Sequence, residues 1–107
     1  MMSKSIPTVG DTVIYWPDEA DVKANKEAAE VGGYLLNPPV VGQPLPAMVV
    51  ASWGSNVINL RVFVDGPGPD MWKTSVLHRA EVGEPVDSSP KTMCWEWEWQ
   101  AQTEGRM

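Results

Sequence analysis

Residues 47–66, AMVVASWGSNVINLRVFVDG, decide the fold. Two runs rich in β-branched and aromatic residues flank Gly54-Ser55-Asn56, a turn signal, so the stretch predicts a hairpin with strands over residues 47–53 and 57–65. In the second strand Ile58, Leu60, Val62 and Val64 fall on one face, while Asn59, Arg61, Phe63 and Asp65 fall on the other. Such alternation belongs to a half-buried strand with one side on a core.

A lone hairpin is marginal in water, and the flanking sequence supplies its neighbours. Upstream, TVGDTVIYW (8–16) places a turn at Val9-Gly10-Asp11 and a strand over 12–16, which Pro17 stops. Downstream, DGPGPD (65–70) is a loop by composition, MWKTSVLHRAEV (71–82) reads as a fourth strand, and MCWEWEW (93–99) as a fifth. GEPVDSSPKT (83–92) is a polar connection, and the tail from Gln100 is expected to fray. The prediction is mainly β: about five strands in a small antiparallel, partly open barrel resembling SH3-like folds.

Between the first strand and the hairpin lies an insertion, residues 17–45. Its first half, PDEADVKANKEAAEVGG (17–33), is the helical candidate: Asp18 can cap, Asp21 follows three residues on, and Gly32-Gly33 provide a stop. Val22, Ala29 and Val31 make only a thin apolar stripe, so the helix is expected on the surface. Its second half is broken by Pro38, Pro39 and Pro44, with Tyr34, Leu35 and Leu36 available to pin it back or cover a site.

The chain has 107 residues, enough for one domain with a single core. Its net charge of −6 argues against general duplex nucleic-acid binding, because an acidic surface repels phosphate. The single cysteine, Cys94, cannot form an intramolecular disulfide and reads as a small buried hydrophobe. No apolar run reaches the length of a membrane span, and MMSKSIPTVGD lacks the apolar centre of a signal peptide. A cytosolic protein is expected.

The run Trp95-Glu96-Trp97-Glu98-Trp99 raises the question of core against display. In a strand the rings share one face, with Cys94, Glu96 and Glu98 on the other. One buried Trp removes about 200 Å² from water, worth roughly 4 kcal/mol at the upper end. A short chain is not expected to leave three such rings unused, so at least two belong in a core or subunit interface, with Trp99 the candidate for exposure. Glu96 and Glu98 then face solvent. Trp16, Trp53 and Trp72 lie at strand ends or beside loops, where rings rim or plug a barrel mouth.

No phosphate loop, dinucleotide fingerprint or Cys/His metal spacing is present. The chain's one histidine, His78, reads as a strand-surface residue, so no catalytic triad or dyad is predicted and neither is a cofactor. One candidate site remains, for a small phosphorylated, nucleotide-like molecule. Arg61, Lys73 and Arg79 would neutralise phosphate, Thr74 and Ser75 would donate hydrogen bonds, and Trp72 or Trp53 would stack on a base. The alternative is a solvated strand face.

The blocks PTVGDTVIYW (7–16), AMVVASWGSNVINLRVFVDG (47–66), WKTSV (72–76) and WEWEW (95–99) together resemble, in their order, short proteins of tailed bacteriophages and prophages. The insertion at 17–45 departs from that pattern by its length. The resemblance implies a phage origin and residence in the host bacterial cytoplasm. By analogy of origin it suggests a non-enzymatic accessory binding protein that self-associates and sequesters a nucleotide signal of host defence. A protein-interaction module blocking a host or virion partner is the alternative, and a hydrolase using Glu96 or Glu98 is a third.

Overall fold

The computed structural model describes residues 6–35, 37–54, 56–83 and 90–103. Leu36, Ser55 and most of the polar connection expected at 83–92 lie outside the described residues.

Five antiparallel strands curl into a small, partly open barrel with two short α-helices. Strand β1 (Thr12–Trp16) has the bounds that its β-branched and aromatic run and Pro17 predict. The turn before it is pinned by Asp11, whose carboxylate accepts from the Thr8 amide at 2.9 Å and hydroxyl at 3.1 Å. Strand β2 (Leu45–Ser52) starts two residues before the expected 47 and takes in Pro46. Proline has no N–H to give, but the Pro46 carbonyl still accepts from the Phe63 amide at 2.9 Å. Strands β3 (Val57–Val62), β4 (Met71–Leu77) and β5 (Cys94–Glu96) complete the sheet, in the order β4-β3-β2-β1-β5. An isolated parallel bridge, His78 to Trp95, brings the two ends of that order together.

The inner face carries the main core. Val13, Val49, Leu60, Val62 and Val76 pack there with Tyr15, Trp95 and Trp97. The alternation expected in β3 holds as far as Val62, where the strand ends three residues short of the expected 65: Ile58, Leu60 and Val62 are buried, Arg61 and Phe63 are exposed, and Val64 is only partly buried. Strand β4 is shorter than its sequence suggests, ending at Leu77 before a 3-10 turn (Arg79–Glu81). Its register on β3 shifts between Ile58 and Leu60, where Ser75 takes a positive φ of 53°. Such a bulge re-aims side chains and blunts a sheet edge.

The tryptophan run departs most from expectation. Trp95 and Trp97 do share the core, edge to face at 5.3 Å and 89°. The strand nevertheless stops at Glu96, and helix α2 (Glu98–Thr103) follows. Its first turn closes with the Ala101 amide on the Trp97 carbonyl at 3.2 Å, while Gln100 Oε1 accepts from the Trp97 amide. The tail therefore does not fray at Gln100. Trp99, now helical, is 43% exposed. Ala101 joins Ile14, Trp16 and Cys94 in a second small core on the outer side of β1 and β5. Two expectations fall with that cover. Glu96 is 1% exposed and accepts from Trp16 Nε1 at 2.9 Å, and Trp16 is fully buried instead of rimming a mouth.

Helix α1 (Glu19–Gly32) begins at the predicted cap. The Asp21 amide donates to Asp18 Oδ1 at 2.9 Å, and the Asp18 amide donates back to Asp21 Oδ2, a reciprocal capping box. Gly33, at φ 68°, ends it in the left-handed conformation that glycine tolerates. The expected apolar stripe is not what faces the barrel: Val31 is 91% exposed, and the buried helix residues are Asp21 and Asn25.

Candidate binding site

The residues grouped by sequence as one anion site are spread over three places. Strand register puts Met48 opposite Arg61 and Arg61 opposite Trp72, so Arg61 and Trp72 are neighbours on the outer face. Lys73 pairs with Leu60 and belongs to the inner face. Arg79 sits in the 3-10 turn and is only 5% exposed. Thr74 is exposed, and the exposed Ser75 gives its amide to Asn59 Oδ1 at 2.9 Å. Trp53 is 63% exposed but follows Ser52, which pairs with Ile58, three residues along β3 from Arg61. At about 3.3 Å per residue that separates it from the Trp72 row by roughly 10 Å. The cations do not converge.

Two arrangements take the place of that site. The first is the outer face of β2–β3–β4. Met48, Val50, Phe63, Trp72 and Leu77 are exposed there, with Trp72 at 59%. Arg61 lies among them, and its guanidinium bonds to no described residue. No carboxylate occupies a position on this face within the three strands, although the chain as a whole is acidic. Helix α2 covers the outer side of β1 and β5, and no described element covers β2–β4. Phe63 was legible from the alternation of β3, and Met48 and Val50 alternate with the buried Ala47 and Val49 in β2.

The second is a polar cluster under α1. Tyr15 is a core residue, yet its phenol donates to Asp21 Oδ2. Lys73 Nζ lies 2.7 Å from Asp21 Oδ1. Asn25 Nδ2 donates to the Asp21 carbonyl at 2.9 Å and contacts Met71 Sδ at 2.7 Å. Burial pushes the Tyr15 phenol far above the ordinary tyrosine range, and its hydrogen bond to Asp21 and that residue's charge push it further. The phenol therefore stays a donor at any ordinary pH. Sequence offered no signal for this cluster beyond the capping role of Asp21.

His78 is not a plain surface residue. Its ring meets Trp95 edge-on at 4.7 Å, and Nε2 lies 2.9 Å from Gln100 Oε1. The Ala80 amide donates to Nδ1 at 3.1 Å, which makes Nδ1 an acceptor and leaves Nε2 to carry the proton. Its partners give it a structural task, joining β4 to β5 and α2. No group of His, Cys, Asp and Glu among the described residues is placed to hold a metal ion. No described helix is long and apolar enough to cross a membrane.

No family model matches the chain, and no curated protein or solved structure matches it either.

Proposed function

We propose that this protein is a non-enzymatic accessory binding protein of phage origin that docks a protein partner on the outer face of β2–β4. The observation that carries the reading is the uncovered face itself: Met48, Val50, Phe63 and Trp72 exposed around a lone Arg61. Interface centres are poor in carboxylates and rich in aromatic residues, Met and Arg, and exposed apolar patches beyond a few hundred Å² mark interaction sites. A convex sheet face suits a macromolecule better than a small ligand, which prefers a concavity. Phosphate capture has less support, because Arg61, Lys73 and Arg79 lie apart.

The partner is a protein surface that is apolar at its centre and brings a carboxylate to Arg61. A second copy related by a twofold axis meets this face with the same lone cation and no carboxylate, so a different chain is favoured. The test places a photo-crosslinking residue at Met48 and, separately, at Val31 on α1, in the native bacterial background. The reading predicts one discrete protein adduct from position 48 and none from position 31. An adduct with the chain itself, equal adducts from both positions, or none from position 48 would overturn it.

A further inference from the structure

The cleft between α1 and β4 adjoins the docking face at Trp72 and has its own chemistry. It is an open groove of about 270 Å³ lined by Asp21, Asn25, Tyr34, Asp70, Trp72 and Lys73, with alanines of α1 between them. That volume sits at the small end of ligand sites, near the ~300 Å³ lower limit, so it suits a ring system better than a whole nucleotide.

The hydrogen-bonding inventory is specific. The Asp21 carbonyl fixes the Asn25 amide with Nδ2 toward it, which leaves Oδ1 as an acceptor that no described residue uses. Asp70 is exposed and makes no ion pair or hydrogen bond with a described residue. Lys73 spends one proton on Asp21 and retains two. The Asp21 carboxylate is itself occupied by Tyr15, Lys73 and the Asp18 amide. The cleft lining thus carries two acceptors, Asn25 Oδ1 and the Asp70 carboxylate, and one donor, the Lys73 ammonium.

Aromatic residues border the cleft as well. Tyr34 is wedged where a Cβ on Gly32 or Gly68 would overlap its ring, so both backbones approach it closely and fix it. Trp72 borders the same cleft from β4, with its side chain on the outer side of the strand. Aromatic walls of this kind stack on any base, and edge contacts then choose among bases.

From this inventory we infer that the α1–β4 cleft binds a guanine-type base, its two-donor, one-acceptor edge read by Asp70, Asn25 and Lys73 and its plane set against Tyr34. Guanine sets N1–H and the 2-amino group beside O6, which matches two acceptors beside a donor. Adenine offers one donor beside an unprotonated N1 and leaves an acceptor unmatched. Two carboxylates against one ammonium also disfavour phosphate inside the cleft.

The test is calorimetric titration of the purified full chain with guanosine, inosine, adenosine and guanosine 5′-monophosphate. Saturable guanosine binding is expected, with inosine and adenosine weaker by ~10-fold or more, because Asn25 Oδ1 or the Asp70 carboxylate would lose its donor. The monophosphate should bind no tighter than guanosine. Asp70→Asn, an exposed substitution that should leave the melting temperature unchanged, should weaken guanosine by ~10-fold or more. Absence of saturable guanosine binding, equal affinity for adenosine, tighter binding of the monophosphate, or indifference to Asp70→Asn would overturn the inference.

Discussion

The phenol of Tyr15, inside the barrel, donates a hydrogen bond to the carboxylate of Asp21 in the first turn of α1. The same carboxylate holds Lys73 of β4 at 2.7 Å and accepts the Asp18 amide. A helix whose apolar stripe is too thin to bury is therefore fastened by a charged anchor. Hydrogen bonds to a charged group contribute ~1.5–3 kcal/mol each, more than the few contacts of Val22 and Ala29 would supply.

Tyr15→Phe removes one donor from Asp21 and should destabilise the fold by about 1.5–3 kcal/mol. It should also change the alkaline response. The folded phenol is raised above its unfolded value near ~10, so the unfolded chain releases that proton first. Wild-type stability from this group is complete below about pH 10 and falls above it, by up to ~1.4 kcal/mol per pH unit. Urea denaturation of both proteins from about pH 8 to about pH 11 checks this, since Tyr15→Phe should lack that part of the decline.

Lys73→Met leaves the Asp21 carboxylate without its counter-charge. Because the Lys73 side chain is 25% exposed, the loss should be about 1–3 kcal/mol, below the range for a fully buried pair. Adding Asp21→Asn should recover part of it, and a double-mutant cycle should return a coupling of ~0.5–3 kcal/mol. Additive single effects would mean that the two side chains act independently.

The two glutamates of the Trp-rich run should behave oppositely. Glu96→Ala takes the acceptor from the buried Trp16 Nε1 and should cost about 2 kcal/mol or more. Glu96→Gln, which keeps an acceptor, should cost less. Glu98→Ala, at an exposed position, should cost about 1 kcal/mol or less. Thermal or chemical denaturation of the three variants decides.

The rings divide the same way. Trp95→Ala opens a cavity in the main core and should cost about 3–5 kcal/mol. Trp99→Ala should cost about 1 kcal/mol or less, since much of that ring is already in water.

Local chemistry made some elements legible. Strand β1 is marked by its β-branched run and Pro17, and α1 by the Asp18–Asp21 box and Gly33. What sequence missed depends on contacts between distant segments. The alternation of residues 95–99 predicts a strand throughout, but closure of a helical turn on the Trp97 carbonyl ends it. Glu96 looks solvent-facing until α2 covers the second side of β5. Arg61 and Lys73 look like partners until the β3–β4 register sends them to opposite faces, and a shift of one residue reverses every side chain of a strand. The docking face was half legible: the position of Phe63 follows from period two, whereas the absence of a covering element does not.

Phe63→Asp tests the central claim most directly when folding and docking are measured on the same variant. Phe63 directly follows the last residue of β3 and is 39% exposed, so an aspartate there should change unfolding free energy by no more than about 1 kcal/mol. It should at the same time abolish the partner adduct formed from position 48. Retained stability with a lost adduct is the predicted result. An undiminished adduct, or unfolding of the variant because Phe63 serves the core, would contradict the assignment of this face to a partner.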